Sequence, residues 1–166
     1  MDQSPSDYDT DVLVWSERQA AILRDLAGSG LALPNELDLE NIVEEIESVG
    51  RSELASVQSY LRLILLHLIK VAASPRALAT THWLQEALTF HGNIFSHLTP
   101  SMRHRIDLDL LWKRAAREAT AKRALEGGFK LELPLACPVG IDDLLAEQLD
   151  LDAALAKVRA AINPST

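Results

Sequence analysis

Between Leu39 and Pro75 the chain reads LENIVEEIESVGRSELASVQSYLRLILLHLIKVAASP. Placed at about 100° per residue, Leu39, Ile42, Val43, Ile46, Val49, Leu54, Val57, Tyr60, Leu61, Ile64, Leu68 and Val71 stay within one broad stripe. The stripe keeps its phase through Gly50. The spacing therefore predicts one long helix from Leu39 to about Ala72, roughly 50 Å at about 1.5 Å per residue. Gly50 in its middle costs about 1 kcal/mol and can bend it. Asp38 is the predicted N-cap, with Leu37 placed to pack on Ile42 as a hydrophobic staple. Ser74-Pro75 ends the helix. From Leu61 to Ile69 only Arg62 and His67 are polar. A helix that is apolar nearly all round is surrounded by others, so this half is the predicted centre of a bundle.

Upstream, Val12, Trp15, Gln19, Ile22, Leu23 and Leu26 share a mainly apolar face of a first helix. Asp9 or Thr10 is its expected cap, and Gly28 and Gly30 its end. Downstream, Trp83, Ala87, Phe90, Ile94 and Leu98 predict a helix from Thr80 or Thr81 to Leu98. Thr99-Pro100 starts a short helix, with Thr99 as its expected cap and Pro100 at the first helical position, and Asp107 caps another that Gly127-Gly128 terminates. Residues 129–140, with Pro134, Pro138 and Gly140, read as an irregular loop. A short helix from Ile141 to about Leu149 and a last one from about Asp152 to Ile162 follow. Each stripe must be covered, so the predicted fold class is all-α, a helical bundle of five to seven helices around one long central helix. Residues 1–166 form one expected domain, with residues 1–6 disordered and 150–166 an additional C-terminal helix.

Of 166 residues, 48% are hydrophobic and 5% aromatic, which supplies a core built mainly from Leu, Ala, Ile and Val. Cys137 is the one cysteine, so no intrachain disulfide is possible, as suits a reducing compartment. The acidic stretch Met1–Asp11 lacks the basic start and apolar run of a signal peptide. The run Leu61–Ala73 is too short to span a bilayer and holds Arg62, His67 and Lys70. A cytoplasmic protein without a membrane partner is expected. The net charge of −8 argues against broad nucleic-acid binding. The charge is unevenly spread: residues 1–60 hold thirteen acids and three bases, and residues 61–130 hold five acids and eleven bases. That split favours contact between an acidic first part and a basic middle, within one chain or between two.

Several segments together resemble a bacterial family known as domain of unknown function twenty-nine. They are Asp11, Trp15 and Gln19; the dense block Leu37–Glu53; the run ending Leu66-His67-Leu68-Ile69-Lys70; Trp83; Thr99-Pro100-Ser101-Met102; Glu118; and Leu133–Pro138 with Leu144-Leu145. The resemblance covers about residues 7–149. The final helix lies beyond it, and Cys137-Pro138 is not followed by the Trp often found there. It implies a helical fold and carries no activity.

The strongest candidate surface is the acidic block. Glu40, Glu44, Glu47 and Arg51 share the helix face opposite the apolar stripe, and Glu47 to Arg51 is the favourable i,i+4 order for an ion pair. The plain reading is a solvated face. The sharper one is a divalent-metal site on Glu44 and Glu47, at i,i+3 spacing, for Mg²⁺ or Mn²⁺. His67, in the most apolar run, is expected to be buried and bonded to a neighbouring helix, or else to act as a metal ligand or base with the glutamates. Twenty residues of straight helix separate Glu47 from His67, roughly 30 Å, which opposes a shared site. Glu53 falls within the apolar stripe. It can pair with a base from residues 61–130 or lie at the stripe's edge with its carboxylate wet, and the second is adopted. Cys137 is read as a small packing residue. His82, His91, His97 and His104 are read as surface or edge residues.

Lys113, Arg114 and Arg117 share the outward face of the helix after Asp107, while Lys122 and Arg123 lie on or beside its apolar face. With Arg103 and Arg105 they are the best nucleic-acid candidate. They form no continuous stripe and have no interleaved aromatics, so nucleic acid is not the expected partner. No catalytic set is complete. The leading expectation is a non-enzymatic helical interaction protein with a protein partner or as a homo-oligomer. The alternative is a metal-dependent hydrolase or nucleotide-binding bundle using Glu44 and Glu47.

Overall fold

The computed structural model describes residues 7–127 and 131–162. The expected disorder over residues 1–6 and the role of Gly128 in ending a helix lie outside these residues. The described residues are all-helical: α1 (Asp7–Thr10), α2 (Val12–Gly28), α3 (Leu39–Ala73), α4 (Thr80–Ile94), α5 (Leu108–Leu125), α6 (Ile141–Leu144) and α7 (Leu151–Ile162), with a 3₁₀ helix over Pro100–Arg105. They gather into two compact units. Of the described residues, the first comprises 7–57 with His97–Arg105, the second Gln58–Ser96 with 106–127 and 131–162. The 35-residue helix α3 is unbroken and contributes to both.

In the first unit α2 begins one or two residues later than the caps suggest. Asp11, not Asp9 or Thr10, accepts from the Val14 N–H at 3.2 Å. The turn α1 precedes it. Asp38 caps α3, its Oδ1 accepting from the Asn41 N–H. The core here is small: Leu13, Ser16 and Ala20 of α2, Val43, Gly50 and Val57 of α3, and Met102 of the 3₁₀ helix. Gly50 is where the backbones of α2 and α3 pass closely. A Cβ added there would overlap Ser16 Oγ and stand 3.0 Å from Leu13 Cα. The glycine thus trades helix propensity for close approach.

In the second unit α3 is buried nearly all round. Leu61, Ile64, Leu65, Leu66, Leu68, Ile69 and Val71 are each 0–2% exposed. Burying each such side chain contributes roughly 1.5–3 kcal/mol. They are joined in the core by Ala87 and Ile94 of α4, Leu111, Trp112, Ala115 and Ala119 of α5, and Ala154, Leu155 and Val158 of α7. One 18-residue window of α3 has the length and mean hydropathy of a membrane span, but half of it is buried inside the protein, as in a core helix.

Asp107 caps α5 as predicted. The irregular segment 131–140 is pinned to α5 at two points: Trp112 Nε1 donates to the Pro134 carbonyl at 2.8 Å, and the Cys137 N–H donates to Asp109 Oδ1 at 2.8 Å. Helix α4 ends at Ile94, short of the predicted Leu98, and α6 is a single turn ending at Leu144.

Candidate functional site

Two places gather polar side chains, one in each unit. In the first, Glu44 and Glu47 are held by two arginines. Arg51 reaches Glu44 at 2.5 Å and Glu47 at 3.4 Å, and Arg24 of α2 reaches Glu47 at 2.7 Å. The hydrogen bond from Arg24 is the chief reason the Glu47 carboxyl is held below its usual pKa. Glu40 is exposed and borders a surface cavity of about 460 Å³ with Arg24, Asn41 and Glu44. Among the described residues no group of three or more His, Cys, Asp or Glu is placed to hold a metal ion. The carboxylates considered for Mg²⁺ or Mn²⁺ each already face a guanidinium.

His67 belongs to the second unit and finds its partners there. It is 5% exposed, with Nε2 3.4 Å from Glu86 Oε2 of α4 and its ring tilted over Phe90. Glu86 Oε2 is also 3.4 Å from His82 Nε2. Burial, and then the positive charge of Lys70, lower the His67 pKa against the opposing pull of Glu86. A neutral ring with its proton on Nε2 fits this setting. Nδ1 is then a buried acceptor with no hydrogen-bond partner among the described residues. Glu40, Glu44 and Glu47 belong to the first unit and His67 to the second.

One turn along α3 from His67, Lys70 opens a cleft of about 240 Å³ in the second unit. Its Nζ lies 5.2 Å from the centroid of the Trp83 ring. Lys122 and Arg123 of α5 line the same cleft, with Glu126 and the apolar Ala73, Ala119 and Leu131. Lys122 is held by Glu118 at 2.9 Å, and Glu118 is held in turn by Arg62 at 2.5 Å. Arg123 Nη1 donates to the Ala73 carbonyl and to Ser74 Oγ.

The family model described as "Domain of unknown function DUF29" matches residues 8–149 of this chain. The chain belongs to the DUF29 family. It is also similar to an alpha-helical protein of unknown function from Rhodospirillum rubrum whose crystal structure is known. The two are 36% identical with a TM-score of 0.83, over 93% of this chain and 99% of that one. No curated protein matches it.

In this DUF29 member, the residues that carry the family resemblance divide into structural ties and cleft residues. Asp11 is a tie. Besides capping α2 it accepts from Thr99 Oγ1, Ser101 Oγ and the Ser101 N–H, at 2.8–2.9 Å. Thr99 therefore does not cap its own short helix; Asp11 does so from α2's first turn. Gly50 is a second tie. Lys70 and Trp83 instead face the cleft, His67 lies one turn away on α3, and Glu118 holds the cleft's Lys122.

The sequence reading missed this cleft, although one signal was legible: Lys122 and Arg123 fall on or beside the apolar side of α5, where a base needs a reason. Two further histidine and glutamate readings change. His91 is buried, not at the surface, with Nε2 2.9 Å from the Ala146 carbonyl. Glu53 pairs with His97, a residue of the basic middle, at 2.6 Å. Part of the acidic–basic split is satisfied in this way within the first unit, where Arg105 also pairs with Glu17.

Proposed function

We propose that this DUF29 protein is a non-enzymatic cytoplasmic helical interaction protein that self-associates through the first half of α3. One observation carries this reading. Ile42 and Val49, two turns apart on the apolar stripe, are 38% and 42% exposed, whereas the same stripe beyond Val57 is covered. Ile22, Leu31 and Leu37 of this unit are also exposed. Uncovered apolar side chains rimmed by charge are the usual mark of an association surface.

The sequence along this face suits a second copy. Two antiparallel α3 helices related by a two-fold axis midway between Glu45 and Ile46 place Ile42 opposite Val49. A contact of one helix pair is small, so weak association is expected.

Sedimentation velocity across a range of concentration and salt tests this. A dimer that grows with concentration and persists as salt rises, because its contact is apolar, is the expected result. Val49→Lys should abolish it. Glu40→Arg, on the opposite face of α3, should leave it unchanged. A monomer at every concentration in low salt would overturn the proposal.

A further inference from the structure

We infer that the cleft between α3, α4 and α5 in the second unit binds a small organic anion, one acidic group carried on a short apolar or aromatic body. This is independent of self-association, which concerns the other unit. Three cations, Lys70, Lys122 and Arg123, converge on the cleft against one lining carboxylate, Glu126. Two of the three are already oriented. Glu118 fixes Lys122, and the Ala73 carbonyl with Ser74 Oγ fixes Arg123.

Lys70 is different. It makes no ion pair among the described residues and rests over the Trp83 ring. Burial, and then the neighbouring Lys122, press its ammonium toward losing its proton. An anion placed between Lys70 and Lys122 would relieve that repulsion and complete the coordination of both.

The remaining walls are apolar: the Trp83 ring, Ala73, Ala119 and Leu131. A few convergent polar groups on an apolar lining is the usual composition of a small-molecule site. The volume of about 240 Å³ sets the size. At about 30 Å³ per water-sized group it admits on the order of eight to ten non-hydrogen atoms. A carboxylate bearing one ring, or a phosphate bearing a short chain, fits this space, and a nucleotide does not.

Benzoate is a suitable probe, followed by the NMR shift of the Trp83 indole N–H, assigned by its loss in Trp83→Phe. A saturable shift is expected, with phenol giving none. Lys70→Met with Lys122→Met should weaken binding by about tenfold or more, the loss expected on removing charged donors. Lys113→Met, on the exposed face of α5, should leave binding unchanged. The double variant keeps the Glu118–Arg62 pair, and an unchanged melting temperature would show that it folds. Absence of a saturable shift, an equal response to phenol, or equal weakening by Lys113→Met would overturn the inference.

Discussion

Gly50 of α3 faces Leu13 of α2 so closely that a methyl group on the glycine would stand 3.0 Å from the Leu13 Cα. Backbone on one side cannot yield, and Ser16 Oγ, which donates to the Leu13 carbonyl, occupies the remaining space. Gly50→Ala should therefore destabilise the protein despite gaining helix propensity. Overpacking of about 1–3 kcal/mol opposes a gain of about 1 kcal/mol, so a net loss of up to about 2 kcal/mol is expected, a few degrees in Tm. Gly92→Ala, in α4 with nothing within 4 Å of the added carbon, should instead stabilise. Urea unfolding of the two variants separates packing from propensity. A stabilised Gly50→Ala would show that the helices do not approach as described.

Asp11 joins the start of α2 to the 3₁₀ helix through four hydrogen bonds to one carboxylate. Burial raises its pKa, but the bonds from Ser101, Val14 and Thr99 outweigh this and hold it below the ordinary value. A carboxyl with a depressed pKa in the folded state stabilises fully above its unfolded pKa of about 3.9, and that contribution is lost as pH falls through the folded value. Asp11→Asn should cost about 2 kcal/mol at neutral pH and lose less further stability in acid than the wild type. Chemical denaturation at pH 7 and near pH 3 measures both.

His67 gives a pH dependence of the same sign in a higher window. Its pKa is lowered chiefly by burial, so below about pH 6.5 the unfolded chain takes up a proton that the folded chain resists. The sign is therefore a fall in stability as pH drops from 6.5 toward the folded value, and none above. The Tm of the wild type should decline over that window, and His67→Met should flatten the decline. An unchanged slope in the variant would place the titrating group elsewhere.

Cys137 should be a poor nucleophile. Burial, aided by the nearby Asp109 and opposed by a hydrogen bond from the Val139 backbone, pushes its thiol up to about 11. The thiolate is the reactive form, so at pH 8 the folded protein should react with a disulfide reagent far more slowly than the chain in denaturant. Comparable rates in the two states would show the thiol to be exposed.

The extent of α3, its Asp38 cap and its encasement beyond Val57 were legible in the sequence because each depends on residues a few positions apart. Helical period, capping oxygen and a run apolar on every side are local facts. The same locality explains the misreadings. Asp9 and Thr10 are as good caps as Asp11 by residue type. Asp11 was decided by Thr99 and Ser101, some ninety positions away. Gly50 read as a weakness until Leu13 and Ser16 were brought against it.

The sequence by itself determined an all-helical chain, the long helix and the depth at which His67 is buried. Only tertiary structure decided that Arg24 and Arg51 share Glu47, that Glu86 answers His67, and that Lys70, Lys122 and Arg123 converge beside Trp83. Periodicity assigns a side chain to a face of its own helix. Which faces meet is set by packing between distant segments, and that is where charges acquire their partners.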